Sequence, residues 1–401
     1  MNLASDHVDW AERRARLGQR HFLAVAGSSI EDVADAMVGL HSSDPITPYL
    51  SLWARVAGVT PDDIGDALYT RRALIRVHAM RRTLFVVGPG LASTMAAACT
   101  NRYVTRERTK LVKLVEQQGL AANGAAWVDR VATATVEALR VRGEATAVQL
   151  TADVPELALR LSFGSDQTWA GTVGVSTRIL FLLATEGRIA RGQPLGSWVS
   201  GQYRWLSMDS FAADGFGTDD PEESRQELVR RWLATYGPGT TTDVQWWTGW
   251  TKGQTMKTLA ALEAVEVDPE KGSEQTWWLL ADDLAVEDRH QTVSRPWVAL
   301  LPGLDPTVMG WKQRQWYVGD HAAVLFDRNG NAGPTVWANG RIIGGWSQAK
   351  DGDVRVRLLE QVSTDVEDAV SARAGQLGDW LGATRITHRF RSPLDIELAS
   401  G

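Results

Sequence analysis

Apolar positions along the chain follow a helical rhythm over the first three quarters and a strand rhythm thereafter. Over residues 30–40, Val33, Ala36, Met37 and Leu40 fall at i, i+3, i+4 and i+7, which predicts a helix with one buried stripe. Asp44-Pro45 and Thr47-Pro48 each place a capping side chain ahead of a proline, the pattern of a helix start. "TPDDIGDAL" opens a third helical stretch, with Thr60 as cap and acids in the first turn. Two strand-like runs, "LIRVHAM" and "TLFVV", then flank Arg81-Arg82. Three helices followed by a two-stranded ribbon is the order of a winged helix-turn-helix unit.

The same order returns twice without strict sequence identity. A helix over 127–141, the short-helix pattern "GEATAVQLTADVPEL", a helix over 175–186 and the strand-like "GRIARG" and "YRWLSM" make a second round. A third begins at 222 with the Leu228/Trp232 helix. It runs through "YGPGTTTDVQWWTG" and a helix over 253–263 to "QTWWLLADDL". "NRYVTRERTKLVKLVEQ" reads as a basic connecting helix, and "DGFGTDDPEES" (214–224) as a linker. From about 295, Asn-Gly turns at 329–330 and 339–340 lie between short β runs, and "DVRVRLLEQV" alternates. A helix over 364–381 and a final "RITHRF" strand close the chain. The predicted class is therefore α+β: tandem winged helix-turn-helix units followed by a C-terminal β-barrel domain, a small barrel or curled sheet with one helix packed on it. The expected divisions are 1–90, a connecting helix over 91–121, then 122–212, 220–290 and 295–401.

Composition changes this picture little. Of 401 residues, 44% are apolar and 22% charged, as in ordinary globular proteins. Cys99 is the only cysteine, so no internal disulfide can form, and a cytoplasmic setting is expected. No apolar run is long enough for a membrane span, and the first residues do not read as a secretory signal. The tryptophans number 18, and most are expected in the core.

Charge changes it more. A net charge of −6 argues against bulk electrostatic coating of nucleic acid. Yet "RRALIRVHAMRR" (71–82) contains no acid, and residues 102–113 set Arg102, Arg106, Arg108, Lys110 and Lys113 against Glu107 alone. Such stretches in an acidic chain either focus a phosphate-binding surface or form solvated faces.

Several chemistries are excluded. The seven histidines show no metal-ligand spacing and Cys99 stands alone, so no metal is expected. "DRNGN" at 327–331 begins like a calcium loop, but Ala332 and Ala338 occupy the positions that need glycine and glutamate. No GxxxxGK[ST] loop occurs, and "GRIIGG" lies among strands, so no nucleotide cofactor is expected.

What remains is "GLHSSDP" at 39–45. In the plain reading His41 ends a helix, the serines fill a turn and Asp44 caps the next helix; asparagine would then replace Asp44 without loss. In the functional reading His41, Ser43 and Asp44 hold and deprotonate a water beside Trp53. Three such groups suffice only for a substrate whose leaving group is already activated.

The blocks "GLHSSDP", "AMRRTLFVV", "GRIARGQPLGS", "YGPGTTTDVQWWTG", "LLPGLDPTVMGW" and "FDRNGNAGPTVWANGRIIGGW" run through nearly the whole chain. Together they resemble the AlkZ/YcaQ-type bacterial DNA glycosylases. That resemblance implies tandem winged helices before a β-barrel, and unhooking of interstrand crosslinks or excision of bulky and N-alkylated purines. The family's Gln-Φ-Gln or Gln-Φ-Asp motif falls on His41-Ser42-Ser43, so this chain looks like a variant branch with His-x-Ser. His41 would accept the proton of a water that Ser43 orients, while Asp44 would stabilise an oxocarbenium-like sugar. Arg76, Arg81, Arg82, Thr83, Arg102, Arg106, Arg108 and Lys110 would bind the duplex. The implied enzyme is a monofunctional glycosylase, monomeric on double-stranded DNA and without cofactor. A non-catalytic winged-helix regulator, or a protein that sequesters a genotoxin by aromatic stacking, stays open at this point.

Overall fold

The computed structural model describes residues 8–164, 170–211, 216–268, 276–284 and 296–400. The same short sheet occurs three times. Leu84–Val87 lies between Leu40–His41 and Ile75–His78. Tyr203–Ser207 lies between Glu144–Ala145 and Ile189–Pro194. Trp277–Leu279 lies between Gly239–Thr240 and Val265–Val267. In each case a helix precedes the first strand and helical segments separate it from the other two, with an added pair of strands, Arg160–Phe163 and Gly171–Gly174, among those of the middle unit.

Local chemistry sets these elements. Thr60, Thr146 and Thr240 each form a capping box, with Asp63, Gln149 and Asp243 reaching back to the cap nitrogen. Two helix starts and stops differ from expectation. The first helix runs over Ile30–Ala36 only, because Val38 and Gly39 turn left-handed and deliver Leu40 to a strand. A Cβ on Gly39 would sit 2.9 Å from Val87, so glycine is required there for space as well as for its φ of +93°. Thr47 is not a cap: it is already helical in Thr47–Trp53, and its hydroxyl donates to the Gly303 carbonyl at 2.8 Å.

The cores do not follow four separate domains. The first and third units and the C-terminal region share one continuous hydrophobic core, whereas the middle unit has its own, joined by Leu111 and Val115 of the Asn101–Gln117 helix. Polar ties reinforce the shared core: Tyr236 donates to the Met37 carbonyl and Thr235 to that of Ala36. The Trp10–Arg20 helix, expected within the first unit, instead docks on the third unit and C-terminal region. There Arg13 lies 4.2 Å from the Trp316 ring and 4.8 Å from that of Trp277. Most tryptophans are buried, as composition suggested.

The C-terminal region corrects the barrel expectation. Its four strands, Val298–Leu301, Thr335–Ala338, Arg341–Gln348 and Val354–Leu358, pair antiparallel in chain order, and among the described residues the sheet stays open. Four strands cannot enclose a core, and the Thr364–Leu381 helix spans the gap by touching both edge strands. Asn339-Gly340 makes the expected hairpin turn, with φ of +47° and +84°. By contrast, Asn329-Gly330 closes a turn in which Asp327 accepts from the Asn329 and Asn331 backbone. "GRIIGG" runs from the Asn339-Gly340 turn into a strand at Arg341, and "AAVL" is a helical turn, not a strand. "RITHRF" is not a strand either. Side chains take its backbone donors: Gln348 Oε1 accepts from Ile386 N and Asp44 Oδ2 from Arg389 N.

Candidate active site

The His41–Asp44 turn lies where the first strand of the first unit leaves its sheet. His41 pairs with Phe85 across the ladder, and Ser42 N donates to the Leu84 carbonyl at 2.8 Å. The imidazole packs edge-on against Phe85, at 5.3 Å between ring centres. It is 6% exposed, so the imidazole sits in a nearly closed seat. Burial pushes its pKa down to about 3, and the nearby Arg81 charge adds to this. His41 is therefore neutral across the physiological range. Nδ1 accepts a long 3.4 Å bond from Ser43 N, which leaves the ring proton on Nε2.

Asp44 is 4% exposed and uses both carboxylate oxygens. Oδ1 accepts from Ile46 N at 3.3 Å, and Oδ2 from Arg389 N at 2.7 Å. It thus caps the turn before the helix and anchors the C-terminal segment too. Asparagine offers one acceptor where two are needed, so the expectation of a neutral swap changes. Asp44→Asn should cost about 1–3 kcal/mol, the cost of a buried N–H left facing a donor. Urea denaturation reads this directly, and an unchanged midpoint would remove the second bond from the argument.

The basic residues separate into distinct groups. Arg81, with φ of +54°, lays its guanidinium 4.1 Å from the Trp246 ring, whose neighbourhood also holds Arg314 at 4.8 Å. Burial first, then Arg314, lowers the Arg81 pKa to about 10. Arg102 donates to the Gly249 carbonyl at 2.6 Å, close to Arg81. Arg82 and Lys110 both pair with Glu107. Arg108 faces inward, tied to Glu186 and Asp129 of the middle unit, so it joins two lobes. Thr83 donates to the Met80 carbonyl, and Arg106 is exposed. Arg76 is buried and donates to the Tyr69 hydroxyl at 2.7 Å. The sequence reading missed Arg389, whose guanidinium reaches the Ser43 carbonyl at 3.3 Å. It also missed Asp305, which holds the helix behind the turn.

Two further histidines behave like His41. Burial lowers His78 to about 3 and drives His21 well below the ordinary histidine value. Unfolding frees all three to bind protons at an ordinary pKa near 6.5. Their contribution is intact above pH 6.5 and is lost as pH falls from 6.5 towards 3, because the unfolded chain takes up the protons. At pH 5 each should cost about 2 kcal/mol relative to pH 7.5. Denaturation at the two pH values checks this: His78→Phe should flatten the dependence, and an unchanged slope would show that His78 already protonates in the fold.

A buried neutral imidazole and a carboxylate that accepts two backbone hydrogen bonds thus lie near Arg81 and Arg389. The sequence pattern of the family described as "DNA glycosylase AlkZ-like" matches residues 34–380. The chain belongs to this family of DNA glycosylases, and its activity is hydrolytic DNA repair. Its fold is similar to that of the Streptomyces sahachiroi DNA glycosylase AlkZ, with a TM-score of 0.70 and 20% identity over 93% of this chain and 97% of that one. No curated protein matches the sequence.

Proposed function

We propose that this glycosylase is monofunctional and hydrolyses the N-glycosidic bond of alkylated purines in double-stranded DNA, including purines joined in interstrand crosslinks. The observation that carries the reading is that the turn has no acidic group with which to protonate a leaving base. His41 is neutral, and both oxygens of Asp44 accept backbone N–H bonds. A base leaving from such a site must depart without protonation, and a purine alkylated at N3 or N7 is already cationic.

The C1′–N bond breaks, and its electron pair neutralises the departing purine. Water held at His41 and Ser43 attacks C1′ of the oxocarbenium-like sugar. Forming the C–O bond makes that water strongly acidic, so its proton can pass to the Nδ1 lone pair of even an imidazole with a pKa of about 3, which gives up the long bond from Ser43 N and then releases the proton to solvent. The three repeated helix-and-sheet units are read as winged helices that embrace one duplex as a monomer, with the DNA in the cytoplasm. The test is incubation with duplexes carrying N7-methylguanine, N3-methyladenine or a purine–purine crosslink. Abasic sites should be scored by alkaline cleavage, and unhooked strands on denaturing gels. Excision of neutral, unmodified purines at the same rate would overturn the reading.

A further inference from the structure

Three arginines from distant parts of the chain lie near one another, one of them touching the turn, and none forms an ion pair among the described residues. Arg389 reaches the Ser43 carbonyl at 3.3 Å. Arg191, on the Ile189–Pro194 strand, stacks 4.3 Å from the Tyr203 ring. Arg76 is 7% exposed and held through one nitrogen by the Tyr69 hydroxyl. The strands carrying Arg76 and Arg191 lie against each other across the two lobes. Arg191 feels the charges of both Arg76 and Arg389, which, after burial, depress its pKa.

Arg13, Arg81 and Arg314 stack on tryptophan rings and show no ion pair among the described residues, but many other arginines pair with acids. Arg55 finds Asp305, Arg71 finds Glu31 and Arg357 finds Glu397. Here Nε and Nη2 of Arg76 and Nε of Arg191 are buried without a hydrogen-bond partner. Like charges brought together with buried donors unused are costly, and an anion that accepts from all three removes the cost. Guanidinium forks match the oxygens of a phosphate group. The tyrosines at 69 and 203 hold two of the forks in place without neutralising them.

We infer that Arg76, Arg191 and Arg389 form the seat for one phosphodiester of the strand carrying the target nucleotide. The inference rests on the glycosylase reading above. Because Arg389 also touches the Ser43 carbonyl, a phosphate in this seat is registered directly against the turn. These are positioning residues: they place C1′ relative to His41 and Ser43 and take no part in proton transfer.

The test uses the full chain, Arg389→Gln, Arg191→Gln and Arg191→Lys, and duplexes containing a tetrahydrofuran abasic analogue. Each phosphate near the analogue is replaced in turn by an uncharged methylphosphonate. One replacement, within two nucleotides of the analogue, should weaken wild-type binding about tenfold, the scale of a charged hydrogen bond. The glutamine variants should bind about tenfold more weakly and lose nothing further at that position, with a salt slope lower by about 1. Arg191→Lys should keep the slope and recover only part of the affinity. Arg389→Gln keeps the backbone N–H that Asp44 accepts, so its melting temperature should be unchanged. Glutamine variants that keep the full methylphosphonate penalty at every position would overturn the seat while leaving the glycosylase reading intact. If inorganic phosphate stabilised the wild type alone, with DNA binding equal in all variants, the seat would serve a free anion and the inference would fall. A wild type that neither binds duplexes nor excises any alkylated base would overturn both.

Discussion

His41→Ala should lower single-turnover excision of an alkylated purine at least ~10²-fold, the low end for losing a positioned proton acceptor. Binding to an abasic duplex should change little, because the 6% exposed ring offers the duplex almost no surface. The wild-type rate should also stay flat between pH 5 and 8. The imidazole works in its neutral form, and its pKa of about 3 keeps it neutral throughout that window. Activity through this group is lost only as pH falls towards 3. An ordinary histidine would instead give a rate that declines below about pH 6.5. Ser43→Ala should cost less than His41→Ala, since a hydroxyl orients the water but does not take its proton. Full excision by His41→Ala, or a limb near pH 6.5 that this variant abolishes, would remove His41 from the chemistry as argued.

Much of the fold was legible because its signals are local. The Thr60 cap, the Asn339-Gly340 hairpin and the apolar rhythm of Thr364–Leu381 each act within a few residues. The turn at 41–44 was legible as a place for chemistry, since small polar groups between two apolar segments stand out on any reading. What could not be read was tertiary. "RITHRF" alternates like a strand, yet Gln348 and Asp44, distant in sequence, take its backbone donors. The basic run at 102–113 looked like one surface, but helical spacing turns Arg108 towards Glu186 while Arg102 meets Gly249. Arg191 and Arg389 carried no sequence signal, because their meaning lies in the partners they lack. Asp305 did carry one: "LLPGLDPTVMGW" is an unusually specific block, but nothing in it says which arginine it serves.

That arginine is Arg55, and Asp305→Ala should destabilise the shared core by about 3–5 kcal/mol, the cost of leaving a buried charge without its partner. Both side chains are 0% exposed, and the pair is two-pronged, at 2.9 and 2.7 Å. The carboxylate also accepts from the Ser51 hydroxyl at 2.7 Å and from Thr307 N at 2.9 Å. Arg55 meanwhile donates to the carbonyls of His21 and Ser51 and to the Thr307 hydroxyl. The alanine variant therefore leaves a guanidinium, a hydroxyl and a backbone N–H short of an acceptor at once. Ser51 belongs to the Thr47–Trp53 helix, which begins just after Asp44, so the same loss should loosen the His41–Asp44 turn. Excision at 25 °C should fall even in the fraction that stays folded. Replacing both partners, as Arg55→Met with Asp305→Leu, removes the uncompensated charge and should recover most of the stability. It should not recover the activity to the same extent, because the Ser51 anchor remains lost. Urea denaturation of the two single variants and the pair closes the cycle. A single Asp305→Ala variant within about 1 kcal/mol of wild type, the usual worth of an exposed pair, would show that the bridge is no more than that.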